Sequence, residues 1–61
     1  MRLRELRENK GLTQKEVADA INCTPSAYAR YEREERSPSP ETFITLSKFY
    51  GVTTDYILCN D

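Results

Sequence analysis

Histidine and tryptophan are both absent from this 61-residue sequence, and only two cysteines are present, Cys23 and Cys59. Without histidine, the usual general base of a serine or cysteine nucleophile is missing, which excludes hydrolases of the Ser-His and Cys-His types. Two cysteines without histidine also cannot complete a four-ligand structural zinc site. We therefore expect no enzyme: no catalytic, metal-binding or cofactor-binding residues, and no small-molecule substrate.

Long apolar stretches are absent as well. No apolar run approaches the roughly 20 residues that a membrane-spanning helix needs, and the charged start, residues 1–5, lacks the apolar core of a signal peptide. The two cysteines lie far apart without a C-x-x-C pattern, which is typical of free thiols in a reducing compartment. We expect a cytoplasmic protein that does not contact a membrane.

The sequence also has little net charge. Nine Lys and Arg residues oppose ten Asp and Glu residues, for a net charge of −1 and an isoelectric point near 5.4. This balance argues mildly against nucleic-acid binding, since nucleic-acid-binding domains are usually basic. The acidic excess is local, however, because residues 1–36 hold eight basic and seven acidic side chains whereas residues 37–61 hold one and three. Net charge alone therefore does not exclude a polyanionic partner.

Helix start and stop signals divide the chain into five short helices. Thr13, Thr24, Ser39 and Thr53 can each cap a helix N-terminus, and proline follows two of them at the first helical position. Glycine or asparagine, which tolerate the left-handed conformation of a helix end, follow three of the helices. The predicted helices cover about 3–9, 14–21, 25–34, 40–50 and 54–58. Short connections predict an all-α fold, a compact five-helix domain over residues 1–61.

The second and third predicted helices are joined by a turn of only about three residues, 22–24. This arrangement is typical of a helix-turn-helix motif. The second helix of such a motif, here the third predicted helix of the chain, lies in the major groove of DNA. On the third helix, Tyr28 and Tyr31 have the spacing of core residues, which we favour over stacking on nucleobases. The opposite face is slim and carries guanidinium groups, as a groove about 12 Å wide requires. Its residues are Ser26, Ala29, Arg30 and Arg33.

Four segments, in order along the chain, resemble the lambda-repressor-like (Xre/Cro-type) helix-turn-helix family. They are GLTQKEVA at 11–18, YER at 31–33, RSPS at 36–39 and GV at 51–52, and the resemblance extends from residue 3 to residue 58. It implies a lambda-repressor-like fold with its helix-turn-helix core at about 13–34. It also implies a dimeric transcription regulator, in the first place a repressor, that binds a pseudo-palindromic site in double-stranded DNA through helix 3.

The resemblance further implies a role for each matching residue. Approach to base edges is implied for Pro25, Ser26, Ala29 and Arg30, of which Arg30 can bind guanine or a phosphate. Contact with the DNA backbone is implied for Gln14, Lys15, Thr24, Arg33, Arg36 and Ser37.

Two structural roles are implied in the same way. An ion pair between Arg7 and Glu32 would join helices 1 and 3. The last helix would form a dimer contact through Tyr56, Ile57 and Leu58, the alternative being that this helix only closes the core. The cations at positions 2, 4, 7 and 10 alternate with acidic residues. They are as consistent with a solvated helix face as with a functional basic cluster.

The sequence departs from the family at positions where glycine is common, since it has Asn22 in the turn and Glu34 after the third helix. Glu34 and Glu35 place two negative charges beside the expected DNA-binding face, which lowers affinity for DNA. These charges and the low isoelectric point favour an alternative, an antitoxin-like protein-interaction module on the same fold with weak or no DNA binding. The polar face of helix 3 favours DNA, and the salt dependence of binding separates the two hypotheses.

Overall fold

Side-chain caps and left-handed residues delimit the helices of the computed structural model, which describes residues 1–59. In chain order they are α1 (Leu3–Asn9), α2 (Gln14–Ala20), α3 (Pro25–Glu32), α4 (Pro40–Tyr50) and α5 (Thr54–Leu58). No strand occurs within the described range. The prediction of an all-α, five-helix fold is confirmed. The predicted domain, 1–61, extends two residues beyond the described part of the chain.

Hydroxyl side chains cap four of the helices at their N-termini. The hydroxyls of Thr13, Thr24, Ser39 and Thr53 each accept a hydrogen bond from an amide of the first helical turn. At α2 the cap is reciprocal, because the Glu16 carboxylate accepts the Thr13 amide at 2.9 Å while the Thr13 hydroxyl accepts the Glu16 amide at 3.1 Å. Each such cap is worth about 1 kcal/mol, which is substantial for a domain of this size.

The first three helices end in the same way. A left-handed residue follows each helix: Gly11 (φ 68°), Asn22 (φ 65°) and Glu34 (φ 60°). In each case its amide and the next one bond back to the last helical turn, as in Glu34 N to Tyr31 O at 3.1 Å and Glu35 N to Arg30 O at 3.0 Å. This is the Schellman pattern. It also explains why α3 ends at Glu32, two residues before the expected end near Glu34.

The core lies between α2, α3 and α4, with α1 and α5 closing its sides. Tyr28 is the largest fully buried side chain, and its hydroxyl lies 2.6 Å from that of Tyr50, which joins α3 to α4. Burial, reinforced by this hydrogen bond, raises the pKa of Tyr28 far above its ordinary value, so the pair is neutral. The tyrosines of α3 are therefore core residues. The buried set is Leu3, Val17, Ala18, Ile21, Tyr28, Tyr31, Leu46, Tyr50 and Ile57.

Helix α5 closes the core through Ile57, whose side chain has no exposed surface. The Ile57 side chain is thus enclosed by its own chain, which fits the alternative that this helix closes the core; a dimer contact through the helix stays a prediction that depends on its neighbours. Its neighbours differ, since Leu58 is 39% exposed and Tyr56 is half-buried. One face of the Tyr56 ring is covered by the Arg2 guanidinium, 4.2 Å from the ring centroid. The last helix thus combines a core side with an exposed side.

Candidate nucleic-acid interface

The two helices of the helix-turn-helix are fixed to each other by their buried residues. In the core, Val17 and Ala18 of α2 pack with Tyr28 and Tyr31 of α3. Ile21, which follows the last residue of α2, belongs to the same cluster. The chain reverses between the helices at residue 22, whose left-handed conformation costs asparagine less than most residues. Because its inner side is anchored, α3 presents a fixed outer side to solvent.

The outer side of α3 carries only small or long polar side chains. Pro25, Ser26 and Arg30 are exposed, and Ala29 between them is half-buried. Thr24 begins the helix, and its hydroxyl oxygen accepts the Ala27 amide at 3.1 Å. The hydroxyl hydrogen of Thr24 is not used by that bond and can still be donated to an external acceptor. This surface is narrow enough to enter a groove and offers donors at its start.

A buried polar network joins α1, α2 and α3 beside this surface. The Arg7 guanidinium donates to both oxygens of the Glu32 carboxylate, at 2.7 and 3.3 Å, and to the carbonyl oxygen of Leu12 at 2.9 Å. Gln14 Nε2 donates to the same carboxylate at 3.0 Å. The side chains of Arg7 and Glu32 are only 15% and 3% exposed. The ion pair thus occupies an almost dry position and fixes α1 to α3.

This network sets both the charge of Glu32 and the orientation of Gln14. Burial acts to raise the pKa of Glu32, but hydrogen bonds from Arg7 and Gln14 outweigh it and hold the pKa below its ordinary value. The carboxylate is therefore ionised at neutral pH, and its charge is balanced by Arg7. Because an ionised carboxylate only accepts hydrogen bonds, Gln14 must turn its NH2 group toward it. The second hydrogen of that NH2 group remains for a ligand.

Exposed cations surround the outer side of α3. Lys15, Arg30, Arg33 and Arg36 are all exposed, as is Ser37 in the loop that follows. Arg33 is paired with Glu35 at 2.8 Å, and its guanidinium holds the pKa of Glu35 below the ordinary value. Exposed ion pairs of this kind contribute little and exchange readily with other anions. With Glu34 and Glu35 counted, this surface keeps two more positive than negative side chains.

All ten residues for which DNA contact is expected lie on α2, on α3, or in the turn and loop on either side of α3, and the Gln14 amide is directed by Glu32. Their contact with DNA stays a prediction. Sequence reasoning missed the Gln14–Glu32 hydrogen bond and a groove beside it that includes Arg4. One sequence signal points to Arg4. It lies one turn before Arg7 on the same helix, so an ion pair of Arg7 with Glu32 also brings Arg4 near α3. Cys23 is half-buried in the turn, Cys59 is exposed, and both are free thiols. Burial raises the pKa of the Cys23 thiol, which disfavours the reactive thiolate.

Two other features, a metal centre and a membrane-spanning helix, are not found among the described residues. Within residues 1–59, no group of three or more Cys, Asp or Glu side chains is arranged to hold a metal ion. None of the helices in this range is both long and apolar enough to cross a membrane.

Helices α2 and α3 are capped at their N-termini, held together by buried residues and joined by a short turn with one left-handed residue. Exposed cations flank them. This arrangement defines a helix-turn-helix protein. The chain matches the helix-turn-helix family over residues 3–57. It belongs to this family, in the lambda-repressor-like (Xre-type) group indicated by its sequence segments. The family match, together with relatives that are named as transcription regulators, confirms the prediction that the chain is not an enzyme.

Similar proteins are named as regulators of transcription. The chain is 43% identical over 60 residues to the HTH-type transcriptional regulator ImmR of Bacillus subtilis (strain 168), covering 98% of this chain and 47% of ImmR. It is 43% identical over 51 residues to the cryptic phage CTXphi transcriptional repressor RstR of Vibrio cholerae, covering 84% and 46%. It is 32% identical over 60 residues to the HTH-type transcriptional activator BcrR of Enterococcus faecalis, covering 98% and 29%.

The chain spans about half the length of ImmR and of RstR, and 29% of BcrR. No solved structure matches it.

Proposed function

We propose that this chain binds double-stranded DNA in a sequence-dependent way and serves as the DNA-binding part of a cytoplasmic transcription regulator. The observation that carries the proposal is the outer side of α3, which is slim, polar and held in place by a buried inner side. A major groove about 12 Å wide admits one helix with side chains of this size. Residues at the start of such a helix approach the base edges.

The contacts divide into two groups. Pro25, Ser26 and Ala29 lie where base edges and thymine methyl groups would be met, and Arg30 has the length to donate two hydrogen bonds to guanine or to reach a phosphate. Backbone contacts come from the surrounding exposed side chains and from the second hydrogen of the Gln14 amide. The backbone group is Gln14, Lys15, Thr24, Arg33, Arg36 and Ser37.

A dimer with a pseudo-palindromic operator extends the proposal. The exposed side of α5 supplies Tyr56 and Leu58, while Ile57 remains in the core. A two-fold pair through this helix would place two copies of α3 on one face of DNA, with half-sites about 34 Å apart. We favour repression over activation because RstR, named as a repressor, shares more identity with this chain than BcrR, named as an activator.

The second candidate is a protein-interaction module on the same fold. The observation that favours it is the pair of carboxylates that follows α3, Glu34 and Glu35, of which Glu34 is bound by the Met1 amino group at 3.0 Å. The Glu35 carboxylate is already paired with the Arg33 guanidinium at 2.8 Å, so a DNA phosphate must displace Glu35 before it can bind Arg33. Against this candidate, the four exposed cations of the surface outnumber the two carboxylates.

The decisive experiment is the selection of bound sequences from a random duplex pool, followed by affinity measurement in 50 and 200 mM salt. Four cationic contacts on each bound chain predict a salt slope of about −3.6, or a loss of about 150-fold in affinity between these concentrations. Enrichment of a two-fold symmetric site is expected as well. A pool that remains random, with binding that is weak and insensitive to salt, would favour the interaction module instead.

A further inference from the structure

A polar groove lies beside the α3 surface, between α1, the start of α2 and the end of α3. Its volume is about 390 Å³, and its lining residues are Arg4, Arg7, Gln14, Glu32 and Arg33. Gln14 and Arg33 also belong to the proposed DNA-binding surface, so the groove is continuous with that surface. Arg4 is the member of the lining that belongs neither to the surface nor to the ion pair between Arg7 and Glu32.

The floor and the rims of the groove differ in charge. The floor is the Arg7–Glu32 pair with Gln14 bonded to it, a neutral and almost fully buried unit. The rims are Arg4 and Arg33, whose side chains are 73% and 57% exposed. The groove therefore has a neutral base with one cation on each side. One amide hydrogen of Gln14 is left over in it.

The present partners of the rim cations are easily displaced. Arg4 is paired with Glu8 on its own helix at 3.4 Å, and Arg33 with Glu35 at 2.8 Å. Glu8 and Glu35 are themselves more than half exposed, at 56% and 55%. Solvent-exposed pairs have a median strength near zero, so a phosphate, which both guanidinium groups can bind with two hydrogen bonds, competes with them.

We propose that this groove binds one phosphate of the DNA backbone, held between Arg4 and Arg33 and bonded to Gln14. The inference rests on the proposed function and adds Arg4, a residue outside the helix-turn-helix, as a phosphate-binding residue. The ion pair between Arg7 and Glu32 places Arg4 by fixing α1 against α3. The groove thereby adds a third helix, α1, to the elements that contact the DNA backbone.

The test compares Arg4→Gln with Lys48→Gln, which removes the same charge from the exposed face of α4. Loss of one phosphate contact reduces the salt slope by about 0.9 per bound chain, which corresponds to about eightfold weaker binding in 0.1 M salt. Arg4→Gln should show this loss equally for every duplex sequence, with unchanged thermal unfolding, whereas Lys48→Gln should bind as wild type does. Equal behaviour of the two variants would overturn the proposal.

A duplex with a neutral methylphosphonate at successive positions locates the phosphate itself. One position should weaken wild type about eightfold in 0.1 M salt but Arg4→Gln by less, because the variant binds that phosphate through Arg33 and Gln14 alone. If every position weakens both proteins equally, Arg4 does not bind a phosphate in this groove. The two proposals fail differently. Absence of salt-dependent binding by wild type refutes DNA binding altogether, whereas strong binding that Arg4→Gln does not affect refutes only the groove.

Discussion

The substitution Glu32→Gln tests the network beneath the candidate interface. It leaves the Arg7 guanidinium almost buried without a counter-charge, and it offers Gln14 and Arg7 one acceptor oxygen in place of two. Removing one partner of a fully buried ion pair costs about 3–5 kcal/mol. Here the guanidinium side chain keeps 15% exposure and its bond to Leu12 O. We therefore expect a loss of about 2–3 kcal/mol, somewhat below that range.

Such a loss is large for this chain. At about 0.05–0.15 kcal/mol per residue, the whole free energy of unfolding is about 3–9 kcal/mol. An unfolding entropy of about 2.1 cal/mol/K per residue converts the loss into a Tm lower by about 15–25 °C. Urea unfolding followed by circular dichroism at neutral pH measures the difference. Glu35→Gln is the matched control, because it makes the same chemical change in an exposed pair and should leave the urea midpoint unchanged.

The pH dependence of the difference identifies its cause. The pKa of Glu32 is below its ordinary value of 4.5 in the folded chain, because hydrogen bonds from Arg7 and Gln14 outweigh the opposing effect of burial. The stabilisation is thus fully present above pH 4.5 and is lost as the pH falls through the lowered, folded-state pKa. Wild type and Glu32→Gln should converge in acid. Equal urea midpoints at neutral pH, or a difference that persists unchanged in acid, would refute the ionic role of Glu32.

Three further substitutions follow from the structure. Glu34→Gly should stabilise the fold by about 1 kcal/mol in thermal unfolding, since it relieves a left-handed conformation at φ 60°, while the ion pair with the Met1 amino group that it removes is largely exposed on the Glu34 side and contributes little. Glu34→Ala, which removes the carboxylate but keeps the strain, should not stabilise, and a gain equal to that of glycine would contradict the argument. Tyr28→Phe should cost about 1–3 kcal/mol, because it leaves the buried Tyr50 hydroxyl without its partner at 2.6 Å. Adding Tyr50→Phe should cost less than the sum of the two single changes, and strict additivity in urea titrations would show that the hydroxyls do not interact. Arg30→Ala should weaken DNA binding by about 1–3 kcal/mol with relaxed preference at one base pair if Arg30 binds guanine. A uniform loss over operator variants would make it a phosphate contact instead, and no loss would exclude it from the interface.

The helices could be predicted from sequence because their signals are local. Thr13, Thr24, Ser39 and Thr53 cap the helices that follow them. Proline after Thr24 and Ser39, and the T-x-x-E pattern that begins at Thr13, are the local signals of these caps. Asn22 and Gly51 likewise take the left-handed conformation expected of them. The left-handed conformation of Glu34 is harder to predict from sequence, because glutamate has no intrinsic preference for it. The two hydrogen bonds of the Schellman pattern hold Glu34 in that conformation.

The features that required the structure depend on tertiary packing. Ile57 and Leu58 are adjacent apolar residues on a short helix, and only the packing of α5 decides that the first is buried and the second exposed. The orientation of Gln14 depends on a carboxylate 18 residues later in the sequence, at 3.0 Å. The groove at Arg4 requires three helices to meet. Arg4, which fits a solvated helix face in the sequence alone, thus lines one groove with Arg33 because the ion pair of Arg7 and Glu32 holds α1 against α3.

Contact between the outer side of α3 and DNA can be observed by titrating the isotope-labelled chain with a selected duplex. Amide chemical-shift changes should be largest at residues 24–33, with a second group at 14–15 and 36–37, and small through α4. A titration that shifts α4 and α5 while leaving α3 unchanged, or that gives no shifts at low salt, would contradict the account.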